Sequence, residues 1–432
     1  MGTERRDAPD NAAPEPRALF CAMFDAAVAA ADPARVIGDF LPTRPKGRTL
    51  VIGAGKASAQ MAAAFEAAWD GPLEGVVVTR YGYGAPCGRI EVLEAAHPVP
   101  DEAGLEAARR LRAAVDGLTA DDLVVALVSG GGSALLPSPP PGMDLADEIA
   151  VNEALLASGA PIAAMNTVRK HLSAIKGGRL ALAAHPAKVV SLVVSDIPGD
   201  NPAFVASGPT VADGAGRQDA LAIVEAYRLK LPEAAMRHLR SPAADAPSPA
   251  DPRLAGNTVH VIASAARSLE AAAREAERRG VRAVILSDAV EGEARDVGGV
   301  HAAIAREIAT RDRPFARPVV LLSGGETTVT LRGEGGRGGR NTEFLLALAL
   351  AVDGVAGIHA FAADTDGIDG SGDNAGAFAD WTAAARMRAA GLDPRAALAR
   401  HDARAAFAAV GDLFSPGPTG TNVNDIRAMF IS

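Results

Sequence analysis

The chain has 432 residues, 48% of them hydrophobic and only 4% aromatic, and a formal net charge of −9. That length exceeds what one core ordinarily fills, so two domains are expected, and the acidic balance argues against a broad nucleic-acid surface while allowing a locally basic pocket. Two cysteines, Cys21 and Cys87, are too few for a disulfide framework and suit a reducing cytoplasm, and no apolar run approaches the roughly 18 residues of a membrane span.

Residues 1–15 are polar, with Arg5, Arg6, Asp7 and Asp10 where a secretory leader needs an apolar core, and read as a disordered lead. Residues 17–31 carry the pattern of an amphipathic helix. Strand-like runs at 49–52, 75–79, 90–94, 123–128 and 189–194 then alternate with helical patterns at 56–69, 102–116, 144–158, 163–175 and 218–229. Such alternation is the mark of βαβ units on a parallel sheet. Residues 241–254 hold four prolines, which forbid a helix interior or a central strand. A domain boundary is expected there, dividing the chain into 1–245 and 255–432. Beyond it, strands are expected at 258–263, 282–286, 318–322, 328–332 and 358–363, and helices at 264–279, 294–310, 340–351 and 402–409. The runs 318–322 and 328–332 are close enough for a hairpin, which makes the second sheet mixed. The fold class is therefore α/β: a Rossmann-like parallel sheet flanked by helices, followed by a mixed α/β domain.

Five strand ends open into glycine-rich or acidic loops, where open α/β sheets bind their ligands. The first is Gly53-Ala54-Gly55-Lys56-Ala57-Ser58. It fails as a Walker loop, because Leu50 stands at the first glycine position and Ala57 replaces the Mg-binding hydroxyl. It is an imperfect dinucleotide fingerprint, and Val78-Thr79-Arg80 lacks the acidic ribose partner. What remains is a lysine at a helix N-terminus, aimed at an anion; the competing reading is a tight turn with a solvated lysine. Ser129-Gly130-Gly131-Gly132-Ser133 reads as a backbone nest for an anion, or else as a flexible turn. Arg169, Lys170, Lys176 and Arg179 form a basic cluster within an acidic chain, as an anion site or as a solvated face. His97 and His171 read as ordinary surface or satisfied core histidines.

Asp196 and Asp200 flank Pro198-Gly199 after an apolar strand, and Asp364, Asp366, Asp369 and Asp373 crowd the end of another. Carboxylates so placed repel one another unless a cation or proton intervenes, although Asx turns favour the same residues. Gly324-Gly325-Glu326-Thr327 and Gly335-Gly336-Arg337-Gly338-Gly339-Arg340-Asn341 bracket the expected hairpin. Arg340 opens a helix, where a guanidinium can neutralise a transferring phosphoryl group or clamp a carboxylate.

Taken together these segments resemble the class II glycerate 2-kinases, whose C-terminal half is the MOFRL domain. The resemblance runs from about residue 17 to 432. It rests on GAGKAS at 53–58, SGGGSALL at 129–136, MNTVRKHLSAIKGGRLA at 165–181 and SDIPGDNPAFVASGPTV at 195–211. The second half adds SGGETTVTLRGEGGRGGRNTEF at 323–344, DTDGIDGSGDNAGAF at 364–378 and TGTNVNDIRAMF at 419–430. A cytoplasmic protein, monomer or homodimer, is expected, and the resemblance implies an enzyme. It would transfer the γ-phosphoryl group of ATP, with Mg²⁺, to the 2-hydroxyl of D-glycerate in an interdomain cleft. It places the catalytic pair on Lys56 and Arg340. Relatives in this family have also been labelled hydroxypyruvate reductases.

In-line phosphoryl transfer asks the protein mainly for positioning and charge neutralisation. Gly53, Gly55 and the 129–133 nest (Ser129, Gly130, Gly131, Gly132, Ser133), with Gly324, Gly325 and Glu326, are the expected nucleotide contacts. Arg169 and Lys176 are expected at the glycerate carboxylate. Asp196, or an aspartate near 364–366 such as Asp366, is expected to hold the metal or orient the attacking hydroxyl. The rival readings are an NAD(P)H-dependent hydroxypyruvate reductase and a non-catalytic nucleotide or sugar-phosphate sensor. No nucleic-acid or membrane partner is expected.

Overall fold

The computed structural model describes residues 14–331, 336–370 and 372–432. Residues 1–13 of the expected polar lead, and Gly335 of the glycine-rich segment, lie outside the described residues. The chain divides into two compact units. One comprises Val28–Ser268 with Thr419–Asn424; the other comprises Leu269–Pro418, Asp425–Ser432 and the described residues up to Ala27.

The first unit is built on β1 (Thr49–Ala54), β2 (Glu74–Arg80), β3 (Ile90–Ala95), β4 (Leu123–Ser129), β5 (Lys188–Val194) and β6 (Thr258–Ala263). All neighbouring strands run parallel, in the order β3-β2-β1-β4-β5-β6. That is the doubly wound dinucleotide-fold order, and its topological switch point lies between β1 and β4. Parallel strands covered on both faces read as unbroken apolar runs. β1 and β4 are buried along their whole length. Leu50, Ile52, Val124, Ala126 and Val128 enter the core on one face, and Val51, Val125 and Leu127 the core on the other. Each buried Val, Leu or Ile side chain among these contributes about 1.5–3 kcal/mol on leaving water.

The division differs from the boundary expected at 241–254. That segment forms only short 3₁₀ turns, Pro242–Ala244 and Pro252–Leu254. The chain then returns to the same sheet as its sixth strand, β6, beside β5. A proline-rich passage excludes regular structure, but it does not oblige the chain to leave its domain. The N-terminal helix, Pro16–Ala29, also has its described aromatic packing in the other unit. Its Phe20 stacks on Phe361 with ring centroids 5.8 Å apart, and Phe24 meets Phe414 edge-on at 5.0 Å.

The second unit carries β7 (Arg282–Ser287), β8 (Gly292–Glu293), β9 (Val319–Gly325), β10 (Thr327–Thr328), β11 (Ile358–Asp364), β12 (Gly376–Asp380), β13 (Leu413–Phe414) and β14 (Asp425–Ile431). Its main sheet has the order β13-β12-β11-β14-β9-β7 and is mixed: β7 and β9 are parallel and the other pairs antiparallel. The expected hairpin between 318–322 and 328–332 does not form among the described residues, which end at 331 in the second run. β10 instead pairs in parallel with β8 as a separate two-stranded ribbon. Gly325, at φ +107°, turns the chain so close to Val290 that a Cβ would lie 2.3 Å from its backbone nitrogen. The side of β9 that a hairpin partner would need is taken by all seven residues of β14.

Candidate active site

Three loops meet at the switch point of the first unit, and their glycines are set by close approach. Gly55, at φ +140°, passes so near Ser129 that a Cβ would lie 2.2 Å from its hydroxyl oxygen. A Cβ on Gly130 would fall 1.8 Å from Asp196 Oδ2. The loops after β1, β4 and β5 are therefore in van der Waals contact along bare backbone. Ser129 Oγ accepts the Ala57 N–H at 3.0 Å, and Lys56 N–H donates to the Gly130 carbonyl at 2.8 Å. Ser58 Oγ closes the turn by donating to the Leu127 carbonyl at 3.0 Å. The helix Ser58–Ala68 starts directly after Lys56-Ala57.

Beside this junction lies a cavity of about 210 Å³. Its polar wall comprises His97, Ser133, Asn152, Asn166, Arg169, Asp196 and Ser207, with Gly131 at the β4 loop. Asn166 Nδ2 donates to the Phe204 carbonyl at 3.1 Å, Ser207 Oγ donates to Asn166 Oδ1 at 2.8 Å, and the Ser133 and Ser207 hydroxyls lie 3.0 Å apart. Ala206, Ser207 and Gly208 take φ values of +53°, +58° and +60° in succession. For the two non-glycine residues this is a strained conformation, of the kind that clusters at ligand sites. Arg169 Nε donates to Asn152 Oδ1 at 2.9 Å, and Arg169 has no ion pair among the described residues. Burial pulls its guanidinium below the ordinary value, Glu148 opposing. Lys56 likewise has no ion pair among the described residues, and its Cγ lies 3.1 Å from where a Gly131 Cβ would stand.

Lys176 is not in this wall. It is buried in an ion pair with Glu148, Nζ to Oε1 at 2.7 Å, and Glu148 Oε2 also accepts the Ser138 N–H at 3.0 Å. Lys170 is similarly buried against Asp213. Of the basic cluster, only Arg169 faces the cavity.

Arg340 belongs to a charged cluster of the second unit. Its Nε donates to both oxygens of Asp425, at 2.9 and 3.0 Å, and its terminal nitrogens reach Asp364 and, at 3.2 Å, Glu326. Burial works against its charge, but Asp425, Asp364 and Glu326 together raise the guanidinium above its ordinary value. Burial also pushes the Asp364 carboxyl well up; Arg340 opposes this, and Asp425 and Asp366 add to it. Asp425 is further bound by Arg427 at 2.6 Å and by Asn341 Nδ2 at 2.8 Å. Asp369 accepts the Asn341 and Thr342 N–H groups, each at 2.9 Å, and so caps the helix Arg340–Ala351. Asp366 N–H donates to Asp364 Oδ1 at 3.0 Å, and Asp366 Oδ1 accepts the Ile368 N–H at 2.8 Å in an Asx turn. Gly324 gives its carbonyl to Val290 N–H at 3.0 Å.

Among the described residues no group of three or more His, Cys, Asp or Glu side chains is arranged to hold a metal ion. Mg²⁺ in nucleotide sites takes one or two carboxylates and draws its other ligands from phosphate and water. Asp196, in the cavity wall, fits that donor set.

Two family descriptions match the sequence: a domain of unknown function (DUF4147) over residues 19–240, and the MOFRL family over residues 319–425. A glycerate 2-kinase of Pyrococcus horikoshii is 43% identical over 88% of this chain and 87% of its own length. A crystal structure of the glycerate kinase of Thermotoga maritima superposes with a TM-score of 0.87 at 38% identity, covering 96% of this chain and 99% of that one. The chain belongs to the MOFRL glycerate kinase family. A protein of Agrobacterium vitis, 56% identical over 96% of this chain and 94% of its own, carries the name putative hydroxypyruvate reductase.

Within this glycerate kinase fold, sequence reasoning did not single out Asn152, Asn166, Ser207, Asp425 or Arg427, and it set His97 aside. Asp425 and Arg427 did leave a signal: two charges at strand spacing inside the apolar run of β14. Asn152 and His97 left none, since each reaches the cavity from a segment with no motif of its own.

Proposed function

We propose that the chain is an ATP-dependent glycerate kinase that phosphorylates the 2-hydroxyl of D-glycerate, giving 2-phospho-D-glycerate and ADP. One observation carries this reading: a small polar cavity at the switch point is walled by Arg169 and flanked by Lys56, neither cation in an ion pair among the described residues. A cavity of about 210 Å³ suits a three-carbon hydroxy acid. Arg169 would clamp its carboxylate, and Asn152, Asn166, Ser133 and Ser207 offer partners for its hydroxyls.

In the proposed step the 2-hydroxyl oxygen forms a bond to the γ-phosphorus while the bond to the β,γ-bridging oxygen breaks, and ADP leaves with that electron pair. Lys56, at the start of a helix, would offset charge on the transferring group. The β4 loop would lie along the phosphates. Asp196 would hold Mg²⁺, which when bound neutralises charge on the β- and γ-phosphoryl oxygens. Asp366 is a second candidate for this task. Arg340 is proposed to support transfer from the second unit, where three carboxylates fix its side chain. The relatives' names, including those of the Pyrococcus and Thermotoga proteins, support this reading, and a cytoplasmic location accords with it.

A coupled assay for ADP with D-glycerate, run with and without Mg²⁺, tests the proposal. NADPH consumption with hydroxypyruvate tests the reductase reading in parallel. ADP formation that needs both D-glycerate and Mg²⁺ is expected. NADPH oxidation without ADP formation would overturn the proposal.

A further inference from the structure

His97 follows β3 in Ala96-His97-Pro98, a stretch with no recognisable motif. Its position is nevertheless fixed. Asp101 accepts the Ala96 N–H at 3.2 Å, the Gly104 N–H at 3.0 Å and the Tyr81 hydroxyl at 2.7 Å. The turn after β3 is thereby tied to the N-terminus of the helix Glu102–Ala114. The imidazole lines the cavity, and its Nε2 lies 3.0 Å from where a Gly131 Cβ would stand, beside Lys56 Cγ at 3.1 Å from the same point. The Nε2 edge therefore faces Gly131 and the side chain of Lys56. Neither ring nitrogen has a hydrogen-bond partner among the described residues.

We propose that His97 is a catalytic residue whose Nε2 accepts the hydrogen bond of the attacking acceptor hydroxyl. This rests on the kinase reading above and adds a residue to it. As the hydroxyl oxygen bonds to the γ-phosphorus and ADP departs with the electrons of the broken P–O bond, the hydroxyl proton passes to Nε2. The imidazolium then releases it to solvent. The surroundings suit this cycle. Burial, then Lys56, then Arg80 lower the imidazole to about 4. The other charged groups in the cavity wall are Arg169 and Asp196. The ring is thus a neutral acceptor at ordinary pH, and the imidazolium is short-lived.

The test uses the full-length protein with His97→Gln and His97→Met, two side chains of similar size of which only glutamine offers an oxygen acceptor. Melting temperatures, kcat, and KM for ATP and D-glycerate are measured for each. The expected result is a kcat loss of about 100-fold in His97→Met, within the range for general-base groups. KM for ATP should stay unchanged, and His97→Gln should recover part of the rate. A kcat in His97→Met equal to that of the wild type, or equal kcat losses in both variants, overturns the proposal. If one variant melts early, His97→Asn, which keeps an oxygen acceptor on a shorter side chain, replaces His97→Gln, and His97→Leu replaces His97→Met, with the same criteria. A wild-type protein that forms no ADP with D-glycerate sinks the kinase reading itself, and that outcome is separate from any effect of these substitutions.

Discussion

Arg340 and Asp425 form a two-oxygen clamp, with Nε 2.9 and 3.0 Å from the carboxylate, in which the arginine is held before any substrate arrives. Lys56, the other member of the expected catalytic pair, has no ion pair among the described residues. The two substitutions to alanine should therefore differ in kind. Lys56→Ala is expected to lose at least about 100-fold in kcat/KM with an unchanged melting temperature. Arg340→Ala leaves Asp425 and Asp364 without their common cation, so it should lose activity and also about 3–5 kcal/mol of stability. Denaturant melts alongside steady-state kinetics separate the two. Equal stabilities would show that the clamp does not hold the second unit together.

Lys176 and Arg169 should also part company. Lys176 is committed to Glu148, so Glu148→Gln alone is expected to destabilise by about 3–5 kcal/mol through the uncompensated lysine. The double replacement Lys176→Met with Glu148→Leu should recover most of that loss and leave KM for D-glycerate close to wild type. Arg169→Ala should raise that KM more than about tenfold, the loss of a charge-assisted contact. A large KM change in the folded double variant would return Lys176 to the substrate site.

Gly130 tests the packing of the β4 loop on Asp196. Gly130→Ala places a methyl group 1.8 Å from the present position of Asp196 Oδ2, so the carboxylate must move. Both melting temperature and kcat are expected to fall. In an Asp196→Ala background the same glycine substitution should cost much less stability, a coupling that a double-mutant cycle reads directly. Additive effects would mean that the two groups do not meet.

Acid sensitivity should come from buried neutral histidines. His301 donates from Nδ1 to the Val297 carbonyl at 2.9 Å, and its Nε2 lies 2.9 Å from Ser323 Oγ, which donates to it when the ring is neutral. Burial, then Arg427, lower its pKa, with the Val297 hydrogen bond opposing. The unfolded chain, with an ordinary value of about 6.5, takes up the proton first. Stability is then full above that pH and falls as pH drops toward the folded value. Melting temperatures recorded from about pH 7.5 to about pH 5 should decline, and His301→Gln should flatten the slope. An unchanged slope would assign the acid sensitivity to other groups.

The regular framework was legible because parallel strands must be apolar along their whole length: Leu50–Ile52, Val124–Val128 and Val189–Val194 could hardly be anything else. The β10 pairing was not legible, because Thr327 and Thr328 have the composition of a hairpin arm and only the course of β14 decides their partner. Lys56 and Asp196 drew notice because glycine turns and charges stand out at strand ends, and Arg169 because it belongs to a basic cluster in an acidic chain; only their place around one cavity, not their roles, is seen in the fold. Lys176 misled, because a buried ion pair and a solvated cluster look alike until Glu148, 28 positions away, is seen against it. His97 could not be found from its neighbours, since its significance lies entirely in what two other loops bring to it.

The left-handed run at Ala206, Ser207 and Gly208 bears on how new acceptors can be admitted. A wall kept in an unfavourable backbone shape is one that glycine can relax. Ser207→Gly removes a hydroxyl, with its hydrogen bond to Asn166, and relieves local tension together, so widening the chamber there should weaken the fold less than hollowing an ordinary core does. An engineer seeking turnover of bulkier or less hydroxylated acids would begin at this bend, where relief of the backbone offsets part of the cost of the lost Ser207–Asn166 hydrogen bond.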